Sequence, residues 1–254
     1  MKPQEILFYF TYLHHGNWDK IYESILKKEP IDESKLAEFQ KNNHYSYITL
    51  LDKDFPECLK NIEMPPYVIF YQGDLNLLKE GKRVAVIGTR KMSEYGAKVT
   101  KDFVQDLVNE DYIIVSGLAR GVDGKAHQVC LEEQGKAIAV IGNGLDVVYP
   151  TCNKDIYEGV SKTGLIITEY PEGTPAEPNN FRLRNRLVAG AADIVLVMEA
   201  FARSGTLITV KYALEQGKDI YCVPDRLGRG SICNKLIKEL GCLIESVSDI
   251  DKKY

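Results

Sequence analysis

Positive charge is scarce in this 254-residue sequence: 32 Lys and Arg stand against 36 Asp and Glu, a formal net charge of −4. A whole-molecule basic field is therefore excluded as a route to nucleic acid, and any anion site has to be a local gathering of cations. No run approaches the about 20 consecutive apolar residues that a membrane-spanning helix needs. The N-terminus, Met1-Lys2-Pro3-Gln4-Glu5, lacks a signal-peptide cleavage pattern, so a cytoplasmic location is expected. The cysteines (Cys58, Cys130, Cys152, Cys222, Cys233, Cys242) form no C-x-x-C pair, and several lie in apolar runs; buried, reduced thiols are expected rather than a redox or metal role. Four histidines, His14 and His15 adjacent, compose no metal constellation, and neither a metal nor a cofactor is expected.

Two phosphate-binding motifs are also missing. There is no G-x-x-x-x-G-K-S/T loop, and Gly88 is followed by Thr89-Arg90-Lys91-Met92-Ser93 rather than completing G-x-G-x-x-G. Both absences count against ATP hydrolysis and dinucleotide redox chemistry. No nucleophile–base–orienter set is visible. Asp123 and His127, four apart, suit acid–base work if a helix starts at Gly124; a helix-capping Asp and a packed His are the alternative.

What is present is an ordinary globular composition, 44% hydrophobic and 27% charged. Residues 1–44 read as a small helical domain, with Ile6, Leu7, Phe10 and Leu13 at helical spacing and Asp32 or Ser34 as a cap. Residues 45–78 are a connector with short strands, Tyr67 to Tyr71 among them. From residue 83 continuous apolar runs alternate with amphipathic helices: Val84–Ile87, Tyr112–Val115, Ala137–Ile141, Gly164–Ile167, Ile194–Met198 and Ile220–Val223. Strands that are apolar on both faces predict a Rossmann-like, doubly wound α/β fold with a mostly parallel sheet over residues 45–254. All strand C-termini then share one edge, where such sheets bind ligands.

The chemistry collects at that edge. Gly88-Thr89-Arg90 follows the first of these strands, Ser116 to Gly124 with Arg120 the second, and Gly142-Asn143-Gly144 the third; Arg203-Ser204-Gly205-Thr206 follows the fifth. Glycines let backbone amides approach phosphate, and helix N-termini favour anions. Between the fourth and fifth strands lies Asn179-Asn180-Phe181-Arg182-Leu183-Arg184-Asn185-Arg186, with no Asp or Glu between Glu177 and Asp193. On a helix Arg182 and Arg186 share a face with Asn185 beside them, a basic comb with Phe181 at its mouth. A solvated arginine face is the alternative. Glu169 and Glu199, each ending a strand, are expected to hold arginines in place.

Taken together, Val86-Ile87-Gly88-Thr89-Arg90, Ser93-Glu94-Tyr95-Gly96, Ser116 to His127, Ile138 to Asp146, Val148-Tyr149-Pro150, Phe181 to Arg186, Glu199-Ala200 and Ser204 to Thr209 resemble the DNA-processing protein A (DprA, or Smf) family from about Asp54 to Ile244. The resemblance implies an extended Rossmann-like domain that binds single-stranded DNA, protects incoming DNA in natural transformation, helps load RecA recombinase and acts as a homodimer without catalysis. It assigns Arg90 and the Phe181–Arg186 segment to the DNA pocket. The full expected contact set is Gly88, Thr89, Arg90, Gly117, Arg120, Phe181, Arg182, Arg184, Asn185, Arg186, Arg203, Ser204, Gly205 and Thr206. Where the family has Pro after the Phe, this chain has Arg182; where it has Pro-Gly after the last strand, this chain has Pro224-Asp225. No C-terminal winged helix is expected, and residues 1–44 resemble a sterile-alpha-motif-like domain. The rival is a nucleotide-binding or nucleotide-hydrolysing Rossmann-like enzyme, although the loop Arg203 to Thr209 lacks the glycine pair and glutamate of that signature. An interaction scaffold with a silent pocket is a second rival. The stripe Ile232, Leu236, Ile237, Leu240 suits either a dimer surface or an internal contact.

Overall fold

Six strands buried on both faces build the centre of the molecule. The structure, a computed structural model, describes residues 1–250 apart from 203, 227, 229 and 241. In chain order come helices α1 (Pro3–Leu13), α2 (Trp18–Lys27) and α3 (Glu33–Asn42), strand β1 (Ser46–Thr49), the single turn α4 (Glu57–Lys60) and β2 (Val68–Gly73). The alternating part follows: β3 (Lys82–Ile87), α5 (Glu94–Asn109), β4 (Tyr112–Ser116), α6 (Val122–Glu132), β5 (Ala137–Val140), α7 (Lys154–Thr163) and β6 (Leu165–Thr168). It continues with α8 (Pro178–Gly190), β7 (Ile194–Val197), α9 (Thr206–Glu215), β8 (Asp219–Cys222) and α10 (Cys233–Leu240).

The sheet runs β1-β2-β6-β5-β4-β3-β7-β8. Strands β3 to β8 are mutually parallel, as their unbroken apolar runs predict. The connector strand β2 joins the same sheet antiparallel to β6, with Phe70 opposite Thr168, and β1 pairs antiparallel beyond it. Strand order reverses at β3, between β4 and β7. The loops leaving β3 and β7 diverge there and open a crevice at the switch point. They remain pinned at their base, where the Thr89 N–H donates to the Glu199 carbonyl at 2.7 Å.

Capping follows the sequence signals. Ser93 accepts from the Gly96 N–H at the start of α5, and Asp32 accepts from the Ser34 and Lys35 N–H groups at α3. The N-terminal helices lie on one end of the sheet. Phe8 is fully buried with its ring 6.3 Å from that of Phe70, and α1 belongs to the same apolar cluster as Val84, Val86 and Ile114. The stripe on α10 is internal: Leu236 is buried, and Ile232, Ile237 and Leu240 pack on the cluster that contains Cys222 of β8. Of the cysteines, Cys130, Cys222 and Cys233 are buried thiols, and burial pushes Cys130 up to about 12.

Candidate nucleic-acid interface

The site is organised by α8. Pro178 sets its first turn, whose N–H would be unpaired in any case, and no acidic residue follows in that turn. Gly190 near its end lets the helix seat closely, because a Cβ there would lie 2.9 Å from Ile62 Cγ2. The helix face turned to the crevice carries Phe181, Arg184, Asn185 and Val188, spaced i, i+3, i+4, i+7.

This rotation corrects the expected comb. Arg182 is exposed and lines neither of the cavities described below. Arg186 is fully buried: its Nη1 and Nη2 donate to Glu169 Oε1 and Oε2 at 2.7 and 2.6 Å, and its Nε donates to the Met64 carbonyl at 2.9 Å. Burial pulls this guanidinium down, but Glu169 more than offsets that and the net shift is upward. A guanidinium with its fork spent on an internal carboxylate does not meet phosphate, so Arg186 is a structural arginine. The expectation that Glu169 holds an arginine is met by this pair. Glu199 accepts from the Ser93 N–H and hydroxyl, at 2.8 and 2.7 Å. The two glutamates are not neighbours, since β5, β4 and β3 separate β6 from β7.

Arg184 takes the central position instead. It is 3% exposed, and its Nη1 donates to the Gly117 carbonyl at 2.8 Å and to the Val140 carbonyl, tying together the ends of β4 and β5. Burial pulls it down to about 10, with Asp123 opposing; it stays charged at neutral pH. Burial also raises the Asp123 carboxyl, against the pull of Arg184. Gly117 gives both room: a Cβ there would sit 2.7 Å from Arg184 Nη2 and 2.8 Å from Asp123 Oδ2, so any side chain would displace one or the other.

Two cavities meet at Arg90, Gly117, Ala119 and Arg184. The inner one, about 50 Å³, is closed by Gly88, Asn185 and the Ser204-Gly205-Thr206 turn that starts α9. Ser204 Oγ lies 2.7 Å from Thr206 Oγ1, and a Cβ on Gly205 would meet nothing within 4 Å. The outer one, about 310 Å³, adds Lys91, Arg120, Tyr149, Pro150 and Phe181. Arg90, Lys91 and Arg120 are exposed, and none has an ion pair among the described residues. Phe181 is half-buried over Gly142, where a Cβ would lie 2.8 Å from its Cδ1. The Phe181 ring stacks on that of Tyr149 at 5.4 Å and 20°, and the Arg90 and Arg184 guanidiniums lie 5.6 and 5.9 Å from its centre.

The crevice thus gathers Gly88, Arg90, Gly117, Arg120, Phe181, Arg184, Asn185, Ser204, Gly205 and Thr206. Thr89 is buried beneath it, its Oγ1 accepting from the Lys91 N–H at 3.1 Å. Arg203 lies outside the described residues. Sequence reasoning missed Lys91 and Tyr149 as site residues. Tyr149 follows a strand end in a loop with two glycines, and that placement was the available signal. Helix α6 starts at Val122 rather than Gly124. His127 is sealed inside and burial pushes it down to about 4, so Asp123 and His127 do not form an exposed acid–base pair.

Known proteins resemble this chain over most of its length. A family model described as DNA recombination-mediator protein A matches residues 46–254. DNA processing protein DprA of Streptococcus pneumoniae is 42% identical over 223 residues, which make up 87% of this chain and 77% of that protein. Protein Smf of Synechocystis is 39% identical over 214 residues, 83% of this chain; the match spans about half of that protein, 54%. The X-ray structure of the Streptococcus pneumoniae protein superimposes with a TM-score of 0.81 at 37% identity, covering 93% of this chain and 82% of that one. DNA processing protein A from Helicobacter pylori, whose structure was described for its single-stranded DNA binding mode, gives a TM-score of 0.74 at 29% identity over 82% of this chain and 94% of that one.

Proposed function

The chain belongs to the DNA recombination-mediator protein A family, and on that premise we propose that its crevice binds single-stranded DNA. The observation that carries this reading is the pair of joined cavities. One is small, polar and rimmed by hydroxyls and a glycine amide; the other is wider and floored by stacked rings under guanidiniums. Phosphate suits the first and an unstacked base the second. Arg90, Lys91 and Arg120 neutralise backbone charge, and Arg184 supplies a fixed positive floor. Arg182 extends positive charge along the outside of α8; Arg186 is not a contact. Because any base has a π-face, the site tolerates sequence, and because a base must be unstacked, duplex binds less well.

The strand is incoming DNA in natural transformation, which the protein shields in the cytoplasm and passes to a RecA recombinase, without catalysing a reaction of its own. A homodimer would offer two such sites to one strand and raise apparent affinity by about 100-fold or more. Residues 1–44 form the small helical unit and the remainder the DNA-binding unit. Family membership and the likeness to the Helicobacter pylori protein support the DNA reading.

The test is fluorescence anisotropy of labelled oligo-thymidine over a salt series. Three exposed cations predict a slope of log affinity on log salt of about −2, and Arg90→Ala makes it shallower by about 0.7. Phe181→Ala and Tyr149→Ala each weaken binding by about 1–3 kcal/mol without altering the slope. If a mononucleotide binds and oligo-thymidine does not, the nucleotide-enzyme reading replaces this one.

A further inference from the structure

An apolar strip runs along the outside of α2. Trp18, Tyr22 and Leu26 recur every fourth residue, so they stand one above another on one face. The buried face of this helix is carried by Ile21 and Ile25, whereas Trp18, Tyr22 and Leu26 belong to neither apolar cluster of the core. Tyr22 is 48% and Leu26 67% exposed. The rings form a ladder: Tyr22 stacks on Trp18 at 5.5 Å and 9°, and Trp18 on Tyr67 at 5.3 Å and 26°. Trp18 is fixed in that pose by its Nε1, which donates to the Pro65 carbonyl at 2.8 Å.

The ladder and α8 flank the same loop. Trp18 holds the Pro65 carbonyl and Arg186 holds that of Met64, the residue before it. Around α8, Arg182 stands about 60° from Asn185, which lines the crevice, and about 40° from Arg186. Arg182 is exposed and has no ion pair among the described residues. Its guanidinium therefore occupies the ridge between crevice and ladder. Of the exposed acids on the ladder side, Glu23 is paired with Lys27 at 3.1 Å, Asp19 lies in the first turn of α2, and Glu63 precedes Met64. Stacked rings beside a guanidinium also build the outer crevice cavity, from Tyr149, Phe181 and Arg90. That alternation of ring and cation complements the alternation of base and phosphate along a single strand. We propose that the ladder is a second stacking platform for single-stranded DNA, reached by the part of the strand that leaves the crevice over Arg182. The proposal rests on the single-stranded DNA reading of the crevice. Arg182 neutralises one phosphate between the two stations, and the open end of the ladder at Tyr22 takes a base.

The experiment titrates the full chain with oligo-thymidine of about 4 and of about 16 nucleotides, the first long enough for the crevice alone. Affinity is read by anisotropy, and the ladder is read by the emission of Trp18, the single tryptophan. The long oligomer should quench Trp18 and the short one should not. Tyr22→Ala should weaken the long oligomer about tenfold and leave the short one unchanged, while Tyr22→Phe, which keeps the ring, should bind both like the parent. Arg182→Ala should make the salt slope shallower by about 0.7 for the long oligomer only. A long oligomer that binds without changing Trp18 emission, or that binds Tyr22→Ala as tightly as the parent, overturns the platform and leaves the crevice reading standing. If Arg90→Ala and Phe181→Ala bind both lengths like the parent, the crevice reading fails and the platform falls with it. Trp18 emission that changes with protein concentration in the absence of DNA assigns the strip to a contact with a second copy of this chain, and also overturns the proposal.

Discussion

Replacing Glu169 by Gln separates the arginine that builds the fold from those that face a ligand. Arg186 and Glu169 are 0% and 4% exposed and joined by two charge-assisted hydrogen bonds of 2.7 and 2.6 Å. Neutralising Glu169 strands a guanidinium in the interior, and breaking such a pair costs about 3–5 kcal/mol. A domain has about 5–15 kcal/mol in total, so the variant should sit near the edge of folding. The loss is readable in urea through the single tryptophan: Trp18 Nε1 donates to the Pro65 carbonyl at 2.8 Å, beside the Met64 carbonyl that Arg186 holds. Removing both charges, as Glu169→Leu with Arg186→Met, should recover most of the stability, because the desolvation penalty goes with them. That double variant should keep the oligo-thymidine salt slope of the parent. Arg90→Ala should do the opposite, leaving stability within about 0.5 kcal/mol. The reasoning fails if Glu169→Gln unfolds at the parent urea concentration, or if the double variant folds well yet loses slope.

Two further outcomes are expected. His127 is depressed from 6.5 to about 4, so below pH 6.5 the unfolded chain takes up the proton first, and this residue withdraws stability as pH falls to 4. Relative to His127→Leu, the parent should lose about 3 kcal/mol across that window and nothing above it, measured by urea unfolding at each pH; a difference flat with pH refutes the assignment. Gly205→Ala should leave stability within about 0.5 kcal/mol, since its Cβ meets only open space, while weakening oligo-thymidine binding measurably in anisotropy. Unchanged affinity would remove the α9 turn from the contact surface.

The sequence alone determined the repeating framework. Strands buried on both faces must be apolar throughout, so Val84–Ile87, Ile194–Met198 and the runs between announce themselves without reference to anything distant. The same local logic offered Asp32 as a cap and singled out the loops after β3, β4 and β7. What only tertiary structure decided is which of several equivalent arrangements the chain adopts. Strand order is one such choice: β6 and β7 follow each other in the chain, yet three strands lie between them, so Glu169 meets Arg186 of α8 while Glu199 holds Ser93 at the start of α5. The rotation of α8 about its axis is another. Spacing alone puts Arg182 beside Arg186, but a helix turns to satisfy its most demanding side chains. Here the carboxylate after β6 and the open carbonyls at the ends of β4 and β5 lie far away in sequence; they claim Arg186 and Arg184, and so set which ring and which charges meet the crevice.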